Sequence, residues 1–452
     1  MKKTSVYIET FGCQMNVADT ERASTGLRRA GYELTGEAEE ADVVLLNTCS
    51  IRARAEAKVY SRVGEVKHKG RRSGQLIGVM GCVAQLEGEA VFDHAPSVGL
   101  VAGTQATDRL PALIERARAG EKKVLDLGER EAGEIWEVSP VERHSPYVAF
   151  VPIIEGCNKF CSYCIVPFSR GRERSRPAAE VIDEVKRLKD AGFSEVHLLG
   201  QNVNSYRPRP PVGLENFDGA TPFSKLLRAV AATGMERIKF TTSFPRDFHH
   251  DIVAAIDENP NLCNWVHLPA QSGNDRVLRQ MRRGHKVADY LERIRTIKNA
   301  RRRIALTSDM IVGFPGETAE EVMDTVSLVE QCQYDSLYIF KYSPRARTPA
   351  AAMSDTISEE EKTERFERVE EAQKRIQKTL YSSYLGEVVN VLVERRSTRS
   401  ELDLMGHSTC HKIVNFRGSD ALIGRTVDVR ITEVKSNSLY GEAAQSLLKA
   451  FC

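Results

Sequence analysis

The sequence predicts an α/β chain in three parts: an N-terminal three-layer α/β domain, a central partial (βα)6 barrel and a small C-terminal β-barrel. Three observations predict it. Near the N-terminus a strand–cysteine–helix unit recurs three times, its cysteines 36 and 33 positions apart, about the length of a βαβ unit. Between residues 147 and 342, six strand-like runs alternate with helical stretches, which implies a parallel sheet short of the eight strands of a closed barrel. From Leu385 onward short β runs are separated by glycines, the texture of a small barrel.

Composition sets the bounds. The 452 residues are 41% hydrophobic, enough for two or three cores. Neither a signal-peptide run nor an 18-residue apolar span is evident, so the expectation is a cytoplasmic chain with no membrane contact. Ten cysteines in such a chain point to metal or redox chemistry rather than disulfides. A net charge of +2 means that any nucleic-acid contact must come from local patches.

The first part, residues 1–118, opens with a strand at Ser5–Thr10 that ends in Phe11-Gly12-Cys13. A helix follows, with Leu27 on its apolar side and Gly31 as its stop. Asp42–Asn47 is a second strand, leading to Thr48-Cys49, and Ala55–Val66 a second helix. Leu76–Met80 is a third strand, leading to Gly81-Cys82. Right-handed crossovers put the carboxyl ends of parallel strands on one edge, so Cys13, Cys49 and Cys82 would meet there. Free cysteines are often simply buried. Here each follows its strand, and two follow a glycine that admits close backbone approach. Residues 119–146 read as a charged, then polar, connection.

The second part, 147–380, starts with the strand Tyr147–Ile154 and delivers Cys157, Cys161 and Cys164 in the spacing C-x3-C-x2-C. A short loop can wrap three thiolates around one metal centre. A closed zinc site or an ordinary cubane takes four protein ligands, and the next cysteine is distant Cys263. Three ligands leave one iron of a cubane open for another molecule. C-x3-C-x2-C after a strand resembles the radical S-adenosylmethionine (SAM) enzymes, and the fuller run Gly156-Cys157-Asn158-Lys159-Phe160-Cys161-Ser162-Tyr163-Cys164-Ile165-Val166-Pro167-Phe168-Ser169-Arg170-Gly171-Arg172-Glu173-Arg174-Ser175-Arg176 narrows the resemblance. Within them it is most similar to the tRNA methylthiotransferases of the 2-methylthio-N6-isopentenyladenosine branch. Phe11-Gly12-Cys13-Gln14-Met15-Asn16, Asn47-Thr48-Cys49-Ser50-Ile51-Arg52 and Gly81-Cys82-Val83-Ala84-Gln85 are similar to that family's N-terminal domain.

The resemblance implies two [4Fe-4S] clusters, one on Cys157, Cys161 and Cys164 and an auxiliary one on Cys13, Cys49 and Cys82. It implies methylthiolation at C2 of N6-isopentenyladenosine, position 37 of tRNA, next to the anticodon. In the family's scheme one SAM methylates a sulfur at the auxiliary cluster, and a second is cleaved reductively to a radical. An electron donor such as flavodoxin or ferredoxin and a sulfur donor are implied partners, and a monomer is expected. The rival readings are a threonylcarbamoyladenosine or ribosomal-protein methylthiotransferase, and a non-catalytic iron–sulfur RNA-binding protein.

Five more strands are expected at Glu195–Leu199, Arg237–Thr241, Trp265–Leu268, Ala305–Val312 and Ser336–Tyr342. Polar loops, three of them with glycine, follow four of these strands, where such folds build active sites. By resemblance Gly200, Gln201 and Asn202 hold the SAM amino group, and the loops of Ser243 and Gln271 reach its ribose and adenine. Two positions depart from the family pattern: Phe244, where many relatives have histidine, and Ala346-Arg347, where a glycine is usual. Arg170, Arg172, Arg174 and Arg176 alternate, so in an extended segment they would form one cationic face suited to RNA phosphates.

Glu359–Ser382 is a charged helix with no interior glycine or proline. In the third part, 383–446, β runs are expected at Val388–Val393, Cys410–Phe416, Thr426–Ile431 and Leu439–Gly441. This part resembles the TRAM domain, an OB-like RNA-binding module, although Leu385–Glu442 carries eight basic and eight acidic residues.

Overall fold

The computed structural model describes residues 3–50, 53–68, 74–130 and 138–444, with the backbone alone at 53–57. Ile51 and Arg52 of the second cysteine motif, and the last two residues of the expected 383–446 part, lie outside the described residues. The chain divides into two compact units: residues 1–146 with 155–158 and 164–174, and residues 147–154 with 159–163 and 175–452.

The first unit is built on a six-stranded parallel sheet. Its strands are β1 (Ser5–Phe11), β2 (Glu33–Leu34), β3 (Val43–Thr48), β4 (Leu76–Gly81), β5 (Val98–Ala102) and β6 (Val124–Asp126). They lie in the order β2-β1-β3-β4-β5-β6. Every residue of β3 is buried, as a strand covered on both faces must be. Val43 and Leu45 join a core with Ala23 and Leu27 of α1 (Gln14–Arg29). Val44 and Leu46, on the opposite face, join Val59 and Val63 of α2 (Ala53–His68). That alternation makes the three layers. The stretch expected to be only a connection contributes β6, whose Val124 pairs with Leu100. A three-residue edge strand gives almost no periodic signal.

The second unit holds the six expected strands. They are β7 (Val148–Glu155), β9 (Glu195–Gly200), β10 (Arg237–Thr241), β11 (Trp265–His267), β12 (Ala305–Val312) and β13 (Ser336–Lys341), with the two-residue β8 (Arg174–Ser175) at one side. Hydrogen bonding groups them as β10-β9-β7-β8 and β11-β12-β13, and the six long strands pair in parallel. A bridge between Ile238 and Leu262 carries the chain from one group to the other. On each strand alternate side chains enter one helix-covered core: Val151, Val196, Ile238, Val266, Met310 and, at its margin, Ile339. The intervening residues face the other way, into the partial barrel, and those of β9, β10, β11 and β12 include a polar set. Lys239 is opposite His197, and His267 opposite Thr307.

The helix Glu359–Ser382 begins with a capping box at Ser358 and Glu361 and leads to a closed barrel. Its strands are β14 (Val388–Arg396), β15 (Asp403–Ser408), β16 (Ile413–Arg417), β17 (Thr426–Val434) and β18 (Leu439–Ala443). Strand β15 lies where the sequence read a glycine separator. A Cβ on Gly406 would collide with the Leu392 carbonyl oxygen, so this glycine permits close strand approach instead of marking a turn. The barrel is seated on the amino ends of the parallel strands, where the Arg237 guanidinium donates to the His407 carbonyl at 3.0 Å.

Candidate cluster and cofactor sites

Register brings the N-terminal cysteines together. Phe11 pairs with Thr48 and Thr48 with Gly81 across the adjacent strands β1, β3 and β4. The residues that follow are therefore neighbours on one sheet edge: Gly12-Cys13, Cys49 and Cys82. A Cβ on Gly12 would come within 2.7 Å of the Cys49 Cβ, so only glycine allows this approach. Cys13 caps α1, and Cys82 opens α3 (Cys82–Glu87), placing both at helix amino termini, where thiolates are favoured. Asn16 Oδ1 lies 3.3 Å from both the amide nitrogen and the Sγ of Cys13. Its Nδ2 donates to Asn47 Oδ1 and to the Thr48 carbonyl, both at 3.2 Å, which ties the first two cysteine loops together.

A hydrogen bond with Cys49, helped by the Arg170 charge, brings the Cys13 thiol down to about 6 despite burial acting the other way. Burial raises Cys82, against the pull of Arg170. Burial also opposes the charge of Arg170, but Asp19, Cys82 and Cys13 outweigh it and hold the guanidinium firmly protonated. Among the described residues no three His, Cys, Asp or Glu side chains close on a single ion. A cubane spreads its irons over separate corners, each taking one thiolate, and the three loops fit that donor set.

The other cysteines follow β7. Cys157 and Cys161 are buried and Cys164 partly so. The Cys157 amide donates to the Gly171 carbonyl at 3.1 Å. In the second unit, Arg283 Nη1 reaches Cys161 Sγ at 3.5 Å and Tyr163 Oη at 3.4 Å, while its Nη2 donates to the Pro269 carbonyl at 2.6 Å. The same guanidinium stands 4.5 Å from the centre of the Phe244 ring. Ser162 is fixed on both sides, its amide donating to the Met281 carbonyl at 3.0 Å and its hydroxyl to the Gln280 carbonyl at 2.7 Å. Arg283 carried no motif that sequence reasoning could use. Its role emerges from the fold, which returns residue 283 to a loop 122 positions earlier.

The expected SAM contacts lie at the carboxyl ends of the second unit's strands. Gly200 ends β9, and the loops interlock: the Val203 amide donates to the Thr242 carbonyl at 2.9 Å and the Ser243 amide to the His267 carbonyl at 3.1 Å. The Gln271 amide donates to the Asp309 carbonyl at 2.9 Å. Asn202 and Gln271 are buried and Ser243 is 2% exposed. Among the described residues, Gln201 Oε1, Thr241 Oγ1, Thr242 Oγ1, Ser243 Oγ and Gln271 Oε1 are buried without a hydrogen-bond partner. Native proteins leave few such atoms, and their concentration on three consecutive loops fits a polar ligand such as SAM. Phe244, the departure from the family pattern, is clamped by Asn204, which bonds both its amide and its carbonyl at 2.8 Å. Arg347 takes a left-handed φ of 69°, which explains why a glycine suits that position.

The expected arginine face does not form. Val166–Arg170 is a short helix opened by Pro167, and Gly171 turns the chain at a φ of 74°. Arg170 is buried, 2.7 Å from Asp19. Arg176 is 2% exposed and pairs with Glu184 and Glu180. Arg174 is intermediate, 3.7 Å from Glu155, and Arg172 is exposed. Only Arg172 and Arg174 retain the exposure that phosphate contact needs.

Three family models match the chain: Uncharacterized protein family UPF0004 over residues 5–103, Radical SAM superfamily over 151–329 and TRAM domain over 382–444. The chain is 45% identical over 443 residues to a tRNA-2-methylthio-N(6)-dimethylallyladenosine synthase of Solibacter usitatus, covering 97% of each chain. It is 44% identical to the enzyme of that name from Geobacter metallireducens, over 97% of this chain and 98% of the relative. Among solved structures, the radical SAM methyltransferase TsrM of Kitasatospora setae superposes with a TM-score of 0.57 at 14% identity, over 77% of each chain. The cobalamin-dependent SAM radical enzyme OxsB gives 0.51 at 10% identity, over 83% of this chain and 56% of that one. These two likenesses concern the fold.

Proposed function

This chain belongs to the family of the tRNA-2-methylthio-N(6)-dimethylallyladenosine synthases, and on that premise we propose that it transfers a methylthio group to C2 of N6-isopentenyladenosine in tRNA. (Dimethylallyl and isopentenyl name the same N6 substituent.) The observation that carries this reading is the meeting of Cys13, Cys49 and Cys82 on one sheet edge, separate in sequence from the C-x3-C-x2-C loop. Two three-thiol sets suit a reaction that needs both a radical and a sulfur source. When bound, the two [4Fe-4S] clusters and SAM would supply the radical chemistry that replaces an aromatic C–H bond, and the methyl group and sulfur that take the hydrogen's place.

The chain's own residues hold and orient. Cys157, Cys161 and Cys164 hold one cluster, with Arg283 fixing the sulfur of Cys161. Gly200, Gln201, Asn202, Ser243 and Gln271 offer the unsatisfied polar lining that positions SAM. Cys13, Cys49 and Cys82 hold the second cluster, and Arg170 keeps positive charge beside their thiolates. Arg172, Arg174 and the C-terminal barrel contact the anticodon stem-loop. A one-electron donor of the flavodoxin or ferredoxin type and a sulfur donor complete the system, which acts as a monomer in the cytoplasm. Among the described residues no helix is long and apolar enough to cross a membrane.

One anaerobic assay tests the division of labour, with dithionite and an isopentenylated anticodon stem-loop. Reconstituted protein should hold about eight irons, and Cys157→Ala/Cys161→Ala/Cys164→Ala should hold about half and make neither product. Cys13→Ala/Cys49→Ala/Cys82→Ala should still cleave SAM to 5′-deoxyadenosine yet form no methylthio-adenosine. Methylthio-adenosine from that second variant would overturn the proposal, as would unchanged iron in the first.

A further inference from the structure

Strand β13 carries two large aromatic side chains on the face turned away from the helix-covered core. Leu337 and Ile339 pack against that core, so Tyr338 and Phe340, one residue out of phase, face into the partial barrel. Register confirms the side: Tyr338 is paired with Asp309 and Phe340 with Ile311. The Tyr338 ring meets the His267 ring at 6.0 Å, and His267 Nε2 lies 3.5 Å from Asp309 Oδ1. Both aromatics are nonetheless open to solvent, Tyr338 at 48% and Phe340 at 36%. β13 ends the order β11-β12-β13, so this exposed strip stands at the side where the partial barrel can be entered.

Depth matters as much as direction. The Ile311 amide donates to the Gln271 carbonyl at 2.9 Å, so Phe340, opposite Ile311, is level with the loop that bears the unsatisfied Gln271 Oε1. Tyr338 lies about 6.6 Å further down the strand. An aromatic strip thus begins at the depth of the polar lining and runs inward from it. Asp309 at its edge is an acceptor for an N–H group. An uncharged purine with an apolar substituent and a single exocyclic N–H matches this surface. Enzymes that modify a base inside RNA take it out of the stack and hold it against aromatic faces.

Resting on the function proposed above, we infer that Tyr338 and Phe340 form the wall on which the target adenine and its five-carbon N6 substituent lie. They are specificity-determining residues: they select the isopentenylated base over the unmodified one, and Asp309 accepts from its N6–H.

The test uses the full chain with both clusters reconstituted, and two anticodon stem-loops that differ only in the isopentenyl group. Dissociation constants for both, and for SAM, are measured by anaerobic titration. The wild-type protein should prefer the isopentenylated loop. Tyr338→Ala and Phe340→Ala should each weaken that loop roughly tenfold and erode the preference. Phe340→Leu, which keeps apolar bulk without an aromatic face, should do the same, and Tyr338→Phe should retain the preference. Met323→Ala, on the outer helix Ala319–Cys332, controls for loss of surface apolar area and should change nothing. An undiminished preference in Phe340→Leu and Tyr338→Ala would overturn the inference. So would weaker SAM binding with the preference intact, which would give the rings to the adenine of SAM. If the wild-type protein fails to convert the isopentenylated loop, the proposed function itself falls; if it converts it and the variants discriminate as well as it does, only this inference falls.

Discussion

Arg170 sits 2.7 Å from the Asp19 carboxylate, with both side chains almost wholly buried. Removing one partner of such a pair leaves a charge with no counterpart, a loss of about 3–5 kcal/mol. Arg170→Ala should therefore lower thermal stability and the iron retained at Cys13, Cys49 and Cys82, while the salt dependence of tRNA binding stays as in the wild type. Arg172→Ala should do the reverse: normal melting and iron content, and a salt slope reduced by about one. Titration of tRNA binding against salt, beside iron analysis, checks both. The alternation of four arginines is legible in the sequence, but its meaning depends on backbone conformation. A period of two is one face only in a strand, and here a proline-started helix and a left-handed glycine intervene. Cys13, Cys49 and Cys82 stand out in the sequence because each follows a strand in a recognisable motif, and Cys157, Cys161 and Cys164 because of their C-x3-C-x2-C spacing. Arg283 does not, because nothing local marks it.

At the scale of elements, several parallel strands of the second unit, though not β7, alternate apolar with polar residues, unlike the continuous apolar run of β3, which is covered on both faces. Arg237-Ile238-Lys239-Phe240 in β10 shows it most plainly. That alternation was present in the sequence and is the signal for a polar interior. What the sequence lacked was the register that decides which polar residues share a level. Lys239 is 4% exposed, and burial brings its amine down from 10.5 to about 8, with Glu195 partly offsetting. A depressed folded value means that the unfolded chain binds the proton more tightly. The stability associated with the neutral amine is complete above pH 10.5 and is lost as pH falls through about 8. The shift corresponds to about 3 kcal/mol. The Trp265 ring, 4.0 Å from the ammonium, returns about 1 kcal/mol of that. Lys239→Met should thus be more stable than the wild type by about 2 kcal/mol at pH 7. The gap should close as pH rises from about 8 to 10.5. Urea denaturation of both proteins at pH 7 and pH 9.5 measures it, and a gap that does not change with pH would refute the assignment. The short β6 and β15 escaped the sequence for opposite reasons, one too brief to show a period and the other interrupted by a glycine that packs rather than turns.

For the molecule as a whole, the polar lining at the carboxyl ends of the second unit's strands has a thermodynamic corollary. Gln201 Oε1, Thr241 Oγ1, Thr242 Oγ1, Ser243 Oγ and Gln271 Oε1 are oriented by loops that exist only in the folded chain. A ligand that satisfies them has no comparable site on the unfolded chain, so mass action makes it part of the folding equilibrium. At a hundred times its dissociation constant such a ligand adds about 2.7 kcal/mol to global stability. Calorimetry should then show the melting temperature climbing with the logarithm of SAM concentration. Ser243→Ala and Gln271→Ala should shift that dependence to higher concentrations, and a melting temperature indifferent to SAM would remove these atoms from its binding site. The interior of this barrel contributes less cohesion than a packed hydrophobic one, and the heat needed to unfold the chain becomes a gauge of what the chain is holding.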